Sequence, residues 1–160
     1  MADALDYLGC MYRDQQQFDI SKARPLLQRA LAIREKAFGA EHASTADTLS
    51  DLSLLEFFER NPGEAERLAQ RALPIEEKAY GSDSLAVSTT LNRLGLAERD
   101  LKKFAQAEVS IQRALTIREK KLPANHRWIA TILNNLASVY LAQGEFEKAT
   151  ALLKRAQTIR

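Results

Sequence analysis

One cysteine, Cys10, stands alone among 160 residues, so no disulfide can close within the chain, and such a thiol content fits a reducing compartment. No run of 18 apolar residues occurs, so no segment reads as a membrane span. The opening Met1-Ala2-Asp3-Ala4 lacks the basic start and apolar run of a signal peptide. A cytoplasmic location is the expectation. Neither sign of charge dominates: 23 Lys and Arg against 21 Asp and Glu leave a net +2, which gives no reason to expect a nucleic-acid groove or binding to an anionic membrane surface. Glycine-rich phosphate loops, Walker sequences and nucleophile elbows are missing. No catalytic constellation, metal or cofactor is expected, and the chain reads as a non-enzyme. Nothing alternates with period two over a useful length, which argues against strands.

Repetition is what the chain does contain. The stretch Arg29-Ala30-Leu31-Ala32-Ile33-Arg34-Glu35-Lys36 returns as Arg71-Ala72-Leu73-Pro74-Ile75-Glu76-Glu77-Lys78 and as Arg113-Ala114-Leu115-Thr116-Ile117-Arg118-Glu119-Lys120. Arg155-Ala156-Gln157-Thr158-Ile159-Arg160 begins a fourth copy. The leading arginines stand at 29, 71, 113 and 155, a step of 42 residues each time. A fixed period in the range of about 20–50 residues marks a stacked repeat architecture. Hydrophobic residues make up 46% of the chain, enough to bury a core along the whole stack.

Each unit carries two helical patterns. The first runs through a leucine pair: Leu5/Leu8, Leu49/Leu52, Leu91/Leu94 and Leu133/Leu136. The second runs through Ala23/Leu27/Ala30, Ala65/Ala69/Ala72, Ala107/Ile111/Ala114 and Ala149/Leu153/Ala156. Spacings of three and four put these residues on one packing face. Small residues at Gly9, Gly95 and Ala137 allow close helix approach. The expected helices lie near 2–15, 21–37, 43–60, 62–79, 84–101, 104–120, 126–143 and 145–159. Gly39, Gly81 and Gly144 are expected to end helices, and Pro123 to stop one. Asn61 and Asn125 are read as N-caps, Asn61 with a capping-box Glu64. Pro25 is placed in a first turn, and Pro74 inside a helix is expected to bend it. Two extra residues within 19–22 lengthen the turn of the first hairpin. The whole of 1–160 reads as one array of four units, about 1–40, 41–82, 83–124 and 125–160. The last helix shows Ala149, Leu152, Leu153, Ala156 and Ile159 with no following unit to cover them. The chain is therefore expected to be a segment of a longer protein, or to self-associate through that C-terminal helix.

Leu5-x-x-Leu8-Gly9-x-x-Tyr12, followed by Phe18, Ala23, Leu27 and Ala30, resembles the tetratricopeptide repeat. So does Leu133-x-x-Leu136-Ala137-x-x-Tyr140, followed by Gly144, Phe146, Ala149, Leu153 and Ala156. The 42-residue unit, the Arg-Ala-Leu-x-Ile-x-Glu-Lys stretch and Ala130-Thr131-Ile132-Leu133-Asn134-Asn135-Leu136-Ala137 are similar to the kinesin light chain type. In this chain Glu56 and Glu98 stand at the tyrosine position, and Pro62 at that of Phe18, Phe104 and Phe146. The resemblance implies an all-α, right-handed superhelix of four helical hairpins, about eight antiparallel helices. It also implies a concave groove, lined by the first helix of each unit, that binds a peptide or protein segment.

Relative to the packed leucines, four stripes of three residues, one on each first helix, would face that groove. They hold Asp6, Cys10 and Arg13; Ser50, Leu54 and Phe57; Asn92, Leu96 and Arg99; Asn134, Ser138 and Leu141. The candidate peptide-binding residues are Arg13, Ser50, Leu54, Phe57, Asn92, Leu96, Arg99, Asn134, Ser138 and Leu141. Asparagine offers donor and acceptor to a peptide backbone, arginine pairs with acidic side chains, and the apolar residues form pockets. Grip on a C-terminal carboxylate is not expected, because Asp6, Cys10, Ser50 and Leu54 occupy the sites that such binding gives to lysine, asparagine and arginine. His42 and His126 read as caps or packing groups, since no ligand cluster accompanies them. Cys10 reads as a small buried residue, Trp128 as a packing plug, and Glu76-Glu77 as part of a solvated helix face beside Lys78. A self-assembling scaffold is the alternative to peptide binding.

Overall fold

The 42-residue period becomes a row of antiparallel helices. The computed structural model describes residues 20–159, with side chains from 23 onward. Seven helices fall among the described residues: α1 (Ile20–Phe38), α2 (Ala43–Phe58), α3 (Pro62–Tyr80), α4 (Leu85–Asp100), α5 (Phe104–Lys121), α6 (Arg127–Gln143) and α7 (Phe146–Thr158). No strand occurs among them. The expected helix over 2–15, with Arg13 and Cys10 on it, lies outside the described residues; of the span 19–22 that holds the two-residue insertion, Ile20 onward already belongs to α1.

The apolar spacing decides which face packs. Leu49, Leu52, Leu91, Leu94, Leu133 and Leu136 are all buried. So are the small residues that meet them from the second helices, among them Ala65, Ala69, Ala72, Ala107 and Ala114. Fully burying one such leucine contributes about 1.5–3 kcal/mol. At Gly95 the helices approach so closely that a Cβ would stand 2.4 Å from Ile111 Cγ1 and 3.1 Å from the Ala107 carbonyl oxygen. The buried apolar side chains form two clusters. One joins α1, α2 and α3 through Leu27, Leu49, Leu55, Leu68 and Ile75. The other runs from Val87 on α4 to Ala156 on α7. They part between α3 and α4, where Leu73 alone reaches from α3 into the second cluster.

Each helix packs on its neighbours in sequence, and α2 also packs directly on α4, and α4 on α6. The second helices α1, α3, α5 and α7 have no such direct approach to one another. The row therefore curves with α2, α4 and α6 on its inner side. Long side chains tie the outer side instead. Arg71 pairs with Glu35 and Arg113 with Glu77, each at 2.5 Å, and Arg155 pairs with Glu119. The arginine that opens each repeated stretch thus reaches back to the glutamate that closes the previous one.

The links between units repeat as well. His42, Ser84 and His126 are the N-caps of α2, α4 and α6. His42 Nδ1 accepts from the Ser44 N–H at 3.2 Å, Ser84 Oγ from the Val87 N–H at 3.3 Å, and His126 Nδ1 from the Trp128 N–H at 3.2 Å. The cap expected at Asn125 is thus held by His126. Asn61 makes no cap bond either; its amide donates at 3.0 Å to Glu56. Glu56 is only 3% exposed, and a buried carboxylate needs donors more than an exposed helix end does. Gly39 and Gly81 take φ of 92° and 88°, and Gly144 ends α6 in the left-handed conformation, which glycine adopts without a Cβ clash. Helix α3 runs unbroken through Pro74. Pro25 falls in the second turn of α1, because that helix begins at Ile20.

Candidate functional site: the inner helix row

The inner helices α2, α4 and α6 are joined helix to helix by polar side chains. The Ser50 and Thr90 hydroxyls share a hydrogen bond of 2.6 Å. Arg93 on α4 donates to Ser50 at 2.7 Å and to Asp51 at 3.0 Å on α2. The Asn135 amide of α6 donates to Asn92 Oδ1 at 2.9 Å. Arg99 donates to Ser138 at 2.8 Å and to its neighbour Asp100, and its guanidinium lies 5.9 Å from the centre of the Phe57 ring. Partners sit roughly one period apart, so the pairing repeats along the row.

The expected site residues divide accordingly. Ser50 is buried at 3% exposure and serves as a rung between helices. Asn92, Arg99 and Ser138 are half-buried and are rungs as well. Leu54, Phe57 and Leu96 are half-buried with apolar surface left to offer. Asn134 and Leu141 are exposed, and Arg13 lies outside the described residues. Sequence reasoning missed Arg93, one residue past the stripe; its spacing of 42–43 from Ser50 and Asp51 was the available signal.

A pocket of about 210 Å³ opens between α2 and α4, lined by Asp47, Ser50, Asp51, Glu76, Ala86, Thr89 and Arg93. Glu76 reaches it from α3. The reading of Glu76 as part of a solvated face is wrong: it is 2% exposed. Its place in the repeat also belongs to Arg34 and Arg118, which are buried too, because this position points at the next first helix. Arg34 donates to Thr48 and to the Ser44 carbonyl. Arg118 donates to Ser88 and Thr89, each at 3.1 Å, and to the Trp128 carbonyl at 3.3 Å. Glu76 Oε1 accepts from the Thr90 hydroxyl at 2.9 Å, while its Oε2 has no hydrogen-bond partner among the described residues. Burial pushes the Glu76 carboxyl up to about 7; Asp47 and Asp51 push the same way, and Thr90 and Arg93 oppose them. Burial also raises Asp47, against the Tyr80 hydroxyl that donates to it at 2.9 Å.

Two other expectations meet the structure. Trp128 is 42% exposed, with the Arg118 guanidinium 5.2 Å from its ring centre, so it covers the arginine slot rather than filling a core. On α7 Ala149 and Ala156 are buried, and Leu152, Leu153 and, just past the helix end, Ile159 pack against the core. The uncovered face there carries Phe146, Thr150, Ala151 and Lys154.

The tetratricopeptide repeat profile matches residues 1–78, 60–120 and 86–160. The chain belongs to the tetratricopeptide repeat family. Its fold is shared with solved kinesin light chain-like repeat proteins. The chain is similar to BtubC (BKLC) from P. vanneervenii, with 26% identity and a TM-score of 0.84 over 99% of this chain. It spans 63% of the length of that protein. A putative kinesin light chain from Podosopora anserina with nearly identical repeats shares the fold at 22% identity and a TM-score of 0.82, over 98% of this chain and 74% of that one. MamA shares it more distantly, at 16% identity and a TM-score of 0.64, over 98% of this chain and 77% of that one. No curated protein matches the chain. Tetratricopeptide repeats are in general protein–protein interaction modules, scaffolds that are typically not enzymes. No helix among the described residues is long and apolar enough to cross a membrane.

Proposed function

We propose that this chain holds a peptide or protein segment in the groove on the inner side of α2, α4 and α6 and performs no chemistry of its own. One observation carries this reading. The three inner helices pack on one another and are bridged by Ser50–Thr90, Asn92–Asn135 and Arg99–Ser138, so the groove wall is set before a partner arrives. A wall already ordered spares a complex much of the entropy of fixing its side chains. Leu54, Phe57 and Leu96 supply apolar contact, Asn134 and Leu141 supply reach at the far end, and Arg13 extends the same stripe by its position in the repeat. The four units, about 1–40, 41–82, 83–124 and 125–160, act as one array within a longer cytoplasmic protein, with a protein partner rather than nucleic acid or membrane.

Selection of binders from a random peptide library tests this. Asn134→Ala and Leu141→Asp, both at exposed positions, should each weaken a selected peptide about tenfold and leave the melting temperature unchanged. Unchanged binding in both variants removes the groove from consideration. A second reading, self-assembly, draws on Phe146, 66% exposed on the uncovered face of α7. Light scattering across a concentration range decides it, since a monomer throughout eliminates it.

A further inference from the structure

We infer that the pocket between α2 and α4, floored by Glu76, takes one basic side chain, lysine or arginine, from the segment lying in the groove; this rests on the groove reading above. Its volume of about 210 Å³ is below the roughly 300–1,000 Å³ of small-molecule sites, and suits a single long side chain. Three carboxylates line it, from Asp47, Asp51 and Glu76, against one guanidinium. That guanidinium, of Arg93, is already bonded to Ser50 and Asp51. The second observation is Glu76 itself. A carboxylate 2% exposed, with one oxygen lacking a partner among the described residues, bears a large desolvation cost, and a hydrogen-bonded cation from outside offsets it. Elsewhere in the row the chain closes this slot with its own guanidinium, at Arg34 and Arg118. No group of three His, Cys, Asp or Glu side chains among the described residues could hold a metal ion, so an organic cation fits better than an inorganic one.

Binding should depend on pH. The Glu76 carboxyl holds its proton up to about pH 7, under burial and the charges of Asp47 and Asp51, with Arg93 opposing. Arg34 and His42 act on Asp47 from the first unit and its link, and Tyr80 from α3. An arriving cation favours ionised Glu76, so affinity should rise from pH 6 to pH 8.

NMR titration of the whole chain with butylammonium and with ethylguanidinium, and with butanol as the neutral control, tests the site. The expected result is amide shifts at Asp51, Glu76 and Thr90 with both cations, stronger at pH 8 than at pH 6, and none there with butanol. Glu76→Gln should weaken the cations at least about fivefold. Glu76→Arg, which copies Arg34 and Arg118, should abolish their binding; if that variant does not fold, Glu76→Gln decides alone. Shifts scattered over the surface, or equal in Glu76→Gln, overturn the proposal. The peptide library separates it from the groove reading. Selected binders with no fixed basic residue keep the groove and sink the pocket. Cation shifts at Glu76 with no peptide selected keep the cation site and sink the groove.

Discussion

Residues 76 and 118 occupy the same place in successive units, and the chain gives them opposite charges. Arg118 is 7% exposed, and its guanidinium is bonded to Ser88, Thr89 and the Trp128 carbonyl. Glu76 is 2% exposed and has, among the described residues, the Thr90 hydroxyl alone. Burial lowers the pKa of Arg118 and raises that of Glu76, yet the outcomes differ. An arginine does not give up its charge in a protein, so the fold must surround it with acceptors. A carboxyl can answer burial by taking a proton, so the fold can leave it half-served. The joint between α5 and α6 is therefore closed by its own side chain. The joint between α3 and α4 stays open to chemistry from outside.

Removing the arginine should have the largest effect. Arg118→Met deletes three charge-assisted bonds in a buried slot and should cost about 3 kcal/mol in urea unfolding; a loss below about 1 kcal/mol would erase the contrast with Glu76. The glutamate should show itself through pH. Its folded pKa, about 7, lies above the ordinary 4.5, so the folded chain binds that proton more tightly than the unfolded chain. The associated stability is complete below pH 4.5 and drains away as pH rises through 7. Glu76→Gln should then stabilise the chain by about 2 kcal/mol at pH 8 and hardly change it at pH 4.5. Parallel pH profiles for the two proteins would contradict this.

A comparable effect concerns helix approach inside a unit, between α4 and α5, rather than at the two joints. Gly95 on α4 has Ala137 as its equivalent on α6, and at Gly95 an added Cβ would stand 2.4 Å from Ile111 Cγ1. Gly95→Ala should lower stability by about 2 kcal/mol through overpacking; a neutral result in thermal unfolding would mean that Ile111 yields. The outer ties should matter least. Arg113 and Glu77 are 40% and 31% exposed, and Arg113→Ala should cost under about 1 kcal/mol. A larger loss would move the strength of the α3–α4 joint to its outer side.

The architecture was legible because packing residues recur with the period of the stack. Ala72 and Ala114 are both fully buried, as their shared place in the repeat requires. The caps at His42 and His126 were legible in kind, since no metal-ligand partners accompany them. The outer ties were not read, although every full copy places Glu six residues after Arg. Each arginine pairs with the glutamate of the preceding copy, and a pattern read within one copy does not reveal a bond between two. Glu76 was misread because Glu-Glu-Lys looks like any wet helix face. Comparison with Arg34 and Arg118 carries the missing signal: a charge reversed in a repeated slot is a change in what the slot must bond to. The rungs of the inner helix row were half legible. The stripe was named, but the demand of Ser50 and Asn92 for partners on the next helix is a tertiary fact.

The division of the oily interior into two clusters, with Glu76 and Thr90 at the seam, gives the rod a preferred place to yield. Stretched from its ends, it should part first between α3 and α4, leaving two short stacks that each keep their shape. A partner whose basic side chain sits in that seam would then act as a bolt, stiffening the rod where one apolar cluster gives way to the next.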